Sequence, residues 1–526
     1  MLDEDKLNAV QNARPCMLIG SNNAGLIVLL KTVQYSLDGL QLTRCHLGWT
    51  IHGVIEPNGA GDSDNHAFLC SEDDDIELTE LIKQMYKVEN FGIIGQLPKI
   101  SDEDQRAIDI MNRTIMRRGE RFEVGQIYKY NNFTFPDSKP QALRRLQVME
   151  KKMDSNPDFA AKYCSKIEDC IEKGYARKLE PDELHETSNT WYLPHFSVET
   201  AGKFRLVMDA KAKSHGFSLN DLLLKGPDFV PPLIAVLMRA RRKKFAFVAD
   251  IKEMFHQILI RRVDQDSQRF FFRGMDRSMP PDVYVMMVMI FGAVSSPSMA
   301  QFIKNFNAKE LEEVFPGVER AVLKQHYVDD FFDCADTEED AVELVQRVIK
   351  VHKHGGFKLT KFLSNSEVIL NSLDRESIAE NDTGTTSVLG IVWDLRSDEF
   401  VFSLEFPKLI ECFRTGESIP TKRQLLRFMM GIFDPLCLLS PITIQLKIIF
   451  QELWRLQIGW DDEIPDGLAS RWNEWLRETA KLKEVRVSRY YFPELPSFSN
   501  AELHAFSDAS DKAFACAIYM VHRQGR

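Results

Sequence analysis

The nine cysteines of the 526-residue chain are odd in number and scattered, with no Cys-x-x-Cys pair and no histidine at zinc-ligand spacing. Their pattern argues against a disulfide scaffold or a structural zinc site and fits reduced thiols in an intracellular compartment. Long hydrophobic runs are missing too: none approaches the roughly 18 residues of a membrane span, and residues 1–20 start acidic without the apolar stretch of a signal peptide. A soluble chain with no membrane partner is expected. There is also no excess of positive charge. The formal net charge of −11 by itself speaks against a polyanionic partner, but the imbalance is local. Residues 56–105 carry 13 acidic and 3 basic side chains, a balance of −10 that leaves −1 for the remainder.

What is present is enough to build cores. The chain is 44% hydrophobic and 27% charged, the composition of a globular protein, and its length allows about three or four structural units at roughly 100–200 residues each. Cations cluster at Arg239, Arg241, Arg242, Lys243 and Lys244, at Arg261 and Arg262, at Arg117 and Arg118, and at Arg144 and Arg145. Such clusters permit a nucleic-acid partner, although they are more often solvated faces.

Residues 1–55 hold short apolar runs punctuated by glycine (Met17 to Gly20, Gly25 to Leu30, Gly48 to Ile55), a β-rich piece. Residues 56–105 begin rich in Gly, Asp and Ser and then turn helical, as a linker does. Between 140 and 175, Leu143, Leu146 and Met149, then Tyr163, Ile167, Cys170 and Ile171, recur at helical spacing. From about 190 strands and helices alternate. Phe245 to Ala249 is a strand-length apolar run that ends on Asp250, and Val283 to Ile290 is another that ends at Phe291-Gly292. Helical spacing runs from Ser298 to Phe315. A further helix is predicted by Thr337 as N-cap with Asp340 three residues on, and by Gly355-Gly356 at its end. This order implies α+β layers. Residues 420–485 read as helical, with Trp454, Trp460, Trp472 and Trp475, and Ala513 to Val521 reads as a strand with nothing to pair against.

Tyr327-Val-Asp-Asp330 reads as the tip of a hairpin, with Val322–Leu323 and Tyr327–Val328 as strand before it and Phe331–Phe332 after it. A Tyr-x-Asp-Asp tetrad is expected about 0.07 times by chance at this composition, so it needs context. Adjacent carboxylates repel, and a folded protein that keeps them at a turn has water or a cation to offset the repulsion; a solvated acidic turn is the bland alternative. Asp250, at the end of its own buried strand, supplies a third carboxylate if the sheet sets that end beside the hairpin. Hard oxygen donors of this kind suit Mg²⁺ together with substrate phosphates, and two such ions serve nucleotidyl transfer.

The strings FVADIKEMFHQ (Phe247 to Gln257), FGAVSSPS (Phe291 to Ser298), YVDD, GGFKL (Gly355 to Leu359) and LGIVWD (Leu389 to Asp394) stand in the order of the palm motifs of reverse transcriptases. Their wording resembles the BEL/Pao class of LTR retrotransposons. KFRLVMDA (Lys203 to Ala210), SLNDLLLKGPDF (Ser218 to Phe229), TKRQLLRFMMGIFDPLCLLSP (Thr421 to Pro441) and the Trp-Asp-Asp at Trp460 are similar to that class as well.

The resemblance implies an α+β right hand of fingers, palm and thumb with an antiparallel palm sheet, preceded by a partial β-rich piece. It divides the chain into a retropepsin-like remnant without its catalytic Asp (1–55), an acidic linker and helical connector (56–160), fingers and palm (161–395), a helical thumb or connection (396–495) and the start of a ribonuclease H domain (496–526). The Asp-Thr-Gly at Asp382 to Gly384 lies between palm motifs and is rejected as a protease site. Asp508 matches the first ribonuclease H carboxylate, and neither protease nor ribonuclease H activity is expected.

The implied activity is RNA-directed DNA polymerisation on a primed RNA or DNA template, from deoxynucleoside triphosphates and with two Mg²⁺ or Mn²⁺ ions, in a cytoplasmic virus-like particle. Residue by residue, the resemblance makes Asp250, Asp329 and Asp330 the catalytic and metal-binding carboxylates. Phe255 becomes the ring beneath the incoming sugar, Arg205 the cation over the triphosphate, Phe291-Gly292 the turn against nucleotide and template, and Lys361 the group that protonates pyrophosphate. Leu389, Gly390 and Trp393 match the primer grip. The competing reading is a degenerate, non-catalytic nucleic-acid-binding remnant.

Overall fold

Of the glycine-punctuated apolar runs near the start of the chain, the one that begins at Gly48 pairs as a strand. The computed structural model describes residues 31–34, 41–45, 48–52, 100–200, 203–381, 384–402, 418–493 and 501–522. Met1–Asp75 and Ile76–Arg526 are two separate compact units. In the first, β1 (Lys31–Gln34), β2 (Gln41–Cys45) and β3 (Gly48–His52) make an antiparallel sheet in that order. The run from Gly48 falls on β3; Met17 to Gly20 and Gly25 to Leu30 lie outside the described residues, as do most of the acidic stretch and Asp382 and Thr383.

The second unit mixes helices and strands. Helix α1 (Asp102–Thr114) starts where Ser101 Oγ accepts the Asp104 N–H at 3.1 Å, with Asp102, Glu103 and Asp104 in its first turn, where the helix dipole favours negative charge. Strands β4 (Met116–Arg118) and β5 (Arg121–Val124) follow as a hairpin. The periodic stretch from 140 to 175 is two helices, α2 (Lys139–Ser155) and α3 (Pro157–Glu172), broken at Asn156, whose side chain caps α3. Beyond them come β6 (Ala176–Lys178), a hairpin of β7 (His195–Thr200) and β8 (Lys203–Met208), and α4 (Leu233–Ala240).

Next comes the strand on which the site is built, β9 (Phe245–Ile251), followed by β10 (Leu259–Ile260), β11 (Arg269–Phe272) and β12 (Asp282–Met286). Helices α5 (Ser296–Glu310) and α6 (Val318–Gln325) lead into β13 (His326–Tyr327) and β14 (Asp330–Ala335), and α7 (Glu338–His354) into β15 (Leu359–Ser364). Four of these strands form the sheet β13-β14-β9-β15. Phe247, Ala249, Ile251 and Phe331 pack on one side with Met299, Ile303, Val345 and Val348. Ala246, Val248 and Phe332 pack on the other with Val236, Leu237 and Trp393. Burial on both faces is why Phe245 to Ala249 shows no polar alternation.

Four expectations shift. Val322–Leu323 belongs to α6, not to a strand: Val318, Ala321, Val322 and Gln325 are its buried face at helical spacing. The run from Val283 leaves the sheet after Met286, yet Val288, Met289 and Ile290 stay buried, so apolarity there marked burial and not strand length. The helix expected from Ser298 to Phe315 begins at Ser296 and ends at Glu310, and Leu311 to Phe315 carries the apolar spacing on through turns. The last strand is not unpaired: β20 (Ala501–Ala509) and β21 (Phe514–His522), numbered after the strands described next, pair antiparallel from Ala501↔His522 to Ala509↔Phe514.

Between these, β16 (Thr385–Val388), β17 (Ile391–Asp394), β18 (Glu399–Val401) and β19 (Arg486–Ser488) form an antiparallel sheet in that order. Helices α8 (Lys422–Gly431), α9 (Ser440–Arg455) and α10 (Asp466–Thr479) intervene before β19 and pack through Trp472 and Trp475, stacked at 5.7 Å, with Phe428 edge-on to Trp472 at 4.8 Å. Fully buried Arg489 ties that region back to the palm. It donates to the Ala240, Lys243 and Lys244 carbonyls and to both Asp398 carboxylate oxygens, all within 2.6–3.0 Å. The basic run at 239–244 is largely engaged inside the fold as well. Arg241 donates to the Ser488 and Arg489 carbonyls, Arg239 to that of Lys324, and Lys243 pairs with Asp336.

Beneath the palm, three basic side chains are fully buried together: Lys304 on α5, His326 on β13 and His352 on α7, with the two imidazoles 4.9 Å apart. Burial pulls the Lys304 ammonium down from 10.5 to about 7. A depressed base contributes stability that is complete above its unfolded pKa and is lost as pH falls through the folded one, here between 10.5 and about 7. Lys304→Met should therefore be more stable to urea than wild type at pH 7, and the gain should shrink as pH rises toward 10; urea titrations at the two pH values measure it.

Candidate active site

Strand pairing decides the geometry of the site. Asp250 near the end of β9 lies directly opposite Asp330 at the start of β14, so their side chains leave the same face of the sheet. Tyr327 pairs with Asp330, which leaves Val328 and Asp329 as a two-residue loop. Val328 sits at φ +60°, a conformation that costs a β-branched residue about 1–3 kcal/mol and persists only where the surroundings impose it. Two bonds do so: buried Gln301 donates from Nε2 to the Val328 carbonyl at 2.9 Å, and the Ile251 N–H donates to the Asp329 carbonyl at 3.0 Å. Gln301 was not among the residues singled out from the sequence; its helical spacing reads as core.

Crowding of the carboxylates raises the proton affinity of Asp329 and Asp330. Burial first, then the charges of Asp329 and Asp250, push the Asp330 carboxyl up to about 6. Burial and the Asp250 charge raise Asp329. Lys361, at φ +57° on the irregular part of β15, reaches back to pair with the Asp250 carboxylate. A cleft of about 520 Å³ opens beside Asp250, Asp330 and Lys361, with Thr385 to Val388 on its far wall.

A second group gathers around an aromatic pair. Phe255 and Phe291 lie 4.9 Å apart, with Phe291 40% exposed. Gly292, at φ +113°, approaches the end of β8 so closely that a Cβ would stand 2.2 Å from the Met208 carbonyl oxygen, so only glycine fits. Arg205 is exposed on the β7–β8 hairpin, and no bond links it to the carboxylates among the described residues. Leu389 and Gly390, at φ +50° and +84°, are the two-residue turn between β16 and β17. Trp393 is fully buried and donates from Nε1 to Asp398 Oδ1 at 2.9 Å.

Two family models match the chain. Residues 199–362 match a reverse transcriptase (RNA-dependent DNA polymerase), and residues 421–526 match a Pao retrotransposon-like RNaseH-like domain. Together the two matches support a Pao-class retrotransposon pol fragment. Its reverse transcriptase segment contains Arg205, both halves of the carboxylate cluster, the Phe255–Phe291 pair and Lys361. Among solved structures, a foamy viral protease-reverse transcriptase in complex with double-stranded DNA is similar at 13% identity and a TM-score of 0.43. The match covers 84% of this chain and 65% of that one, so the Pao-class chain spans just under two thirds of its length. No curated protein matches. Among the described residues no helix is long and apolar enough to cross a membrane.

Reverse transcriptases generally use divalent metals. Among the described residues no three His, Cys, Asp or Glu side chains form a ready-made metal cage. The donors still fit a hard cation: all are carboxylate oxygens, and their mutual repulsion, visible in Asp330, is what a divalent charge would relieve.

Because the folded pKa of Asp330 is raised, its protonated form contributes stability that is complete below 3.8 and is lost as pH rises through about 6. Asp330→Asn should therefore raise the melting temperature of the EDTA-treated protein at pH 7.5 and leave it nearly unchanged at pH 4, as read by thermal denaturation.

Proposed function

We propose that the chain is an RNA-directed DNA polymerase that extends a primer 3′-hydroxyl on an RNA or DNA template from deoxynucleoside triphosphates, at Asp250, Asp329 and Asp330. The observation that carries this reading is the Asp250–Asp330 pairing, with Asp329 in the adjoining turn. Two Mg²⁺ or Mn²⁺ ions, when bound, would activate the 3′-hydroxyl and stabilise the leaving pyrophosphate. The chain's own residues hold the reacting groups in line, so that the 3′-oxygen bonds to the α-phosphorus as the α–β bridge breaks.

Lys361, which pairs with Asp250, would supply a proton to pyrophosphate. Arg205 on its exposed hairpin covers the triphosphate, a fork of donors suited to phosphate oxygens. Phe255, braced by Phe291, stands against C2′ of the incoming sugar, where a ring leaves a 2′-hydroxyl neither space nor a hydrogen-bond partner. In the primer grip, Leu389 and Gly390 make the contact, and buried Trp393 anchors their hairpin.

Purified protein should extend oligo(dT) on poly(rA) with Mg²⁺ or Mn²⁺, and Asp250→Asn or Asp329→Asn should abolish extension without unfolding the chain. Extension at a comparable rate in either variant would remove the carboxylates from the chemistry. Phe255→Val should raise kcat/KM for UTP relative to dTTP by about tenfold or more, each factor of ten being about 1.4 kcal/mol of lost discrimination. An unchanged ratio in an active variant would make Phe255 a core residue only.

A further inference from the structure

Phe255 projects from a tight turn, Met254–Gln257, whose preceding residue, Glu253, is held at φ +50°. A left-handed glutamate is costly unless its surroundings impose it, and here they do. One Glu253 oxygen accepts from Lys173 Nζ at 2.9 Å and the other from the Tyr175 hydroxyl at 2.9 Å. The same turn is caught at its far end, where Gln257 Nε2 donates to the Tyr175 oxygen at 3.0 Å. The two partners are themselves fixed. Lys173 follows the last turn of α3 and also bonds Asp169 at 2.9 Å, and Gly174, at φ +67°, closes the helix so that the Tyr175 N–H returns to the Cys170 carbonyl. From Tyr175 a row of rings leads to the aromatic pair: Tyr175 to His256 at 4.9 Å, His256 to Phe291 at 5.1 Å, and Phe291 to Phe255 at 4.9 Å.

We propose that Lys173, Glu253 and Tyr175 are positioning residues that clamp the turn carrying Phe255 and so set sugar discrimination from outside the nucleotide pocket. The proposal rests on the polymerase reading of Phe255. With no bond to Asp250, Asp329 or Asp330, the clamp acts through where it places the ring. A ring free to shift by a fraction of an ångström would admit a 2′-hydroxyl while the phosphate contacts remained.

The test is a double-mutant cycle on the full chain, reading kcat/KM for dTTP against UTP on poly(rA)/oligo(dT). Glu253→Ala should lower the ratio at least about threefold, a coupling of the size that residues in contact show. Tyr175→Phe, which removes one hydroxyl and keeps the ring, should lower it less, and Glu253→Gln, which still accepts from Tyr175, should retain more of it than Ala. In a Phe255→Val background neither Glu253→Ala nor Tyr175→Phe should change the ratio further. Unchanged ratios in both single variants, or the same fold-loss with and without Phe255, would overturn the clamp while leaving the polymerase standing. If Glu253→Ala does not fold, Tyr175→Phe alone and in the Phe255→Val background decides. Wild-type protein that extends no primer would overturn the polymerase reading and the clamp together.

Discussion

The rest of the palm depends on the antiparallel pairing of β9 with β14, in register from Ala335↔Phe245 to Asp330↔Asp250. Both faces of that ladder are buried, so a slip of one residue would exchange the two hydrophobic faces and drive Asp250 into a core. Core packing thus locks the register, and the register sets two carboxylates on one face. The third follows from the shortest loop that can join β13 to β14, Val328-Asp329, with Gln301 imposing its strained conformation. The geometry of the charged end is therefore a consequence of apolar packing some residues away.

Concentrating charge in this way sets fold against site. Burial and the Asp250 charge raise the pKa of Asp329, burial and the charges of Asp329 and Asp250 raise that of Asp330, and Lys361, paired with Asp250, offsets part of the repulsion. Where α5 and α7 pack on the sheet, Lys304, His326 and His352 are buried with few partners, and burial lowers the proton affinity of all three. A palm that keeps three acids half-desolvated at one end and three bases desolvated beneath it is held by its hydrophobic clusters, not by its ionisable groups. Asp398 and Arg489 are the exception, since nearly every donor of that guanidinium has a partner and the pair joins β18 and the chain beyond β19 to the palm.

Much of this was legible in one sequence because it is written locally. Thr337 with Asp340 and Gly355 bounds α7, because caps depend on residues three or four apart. The continuous apolar run at Phe245 gave a buried strand, and the order of five short strings gave a polymerase palm. Where apolarity was read as strand length, at Val283 to Ile290 and at Val322–Leu323, it erred, since burial makes the same demand on strands, helices and turns. The basic run at 239–244 looked like a surface; Arg239 and Arg241 are engaged by the carbonyls of Lys324, Ser488 and Arg489, 85 to 248 residues away and invisible to any window.

The sequence by itself determined which residue types could do chemistry and in what order they come: Asp250, Phe255, Phe291-Gly292, Asp329-Asp330, Lys361. Order is a property of the covalent chain, and the propensities around each string act over a few residues. Only the tertiary structure decided which of them meet. Cross-strand register set Asp250 against Asp330, an approach that leaves no room for a Cβ brought Gly292 to Met208, and the end of α3 delivered Lys173 and Tyr175 to Glu253. Each of these contacts joins residues about eighty apart, and it exists because burying apolar surface fixes the backbone there, which no local pattern records.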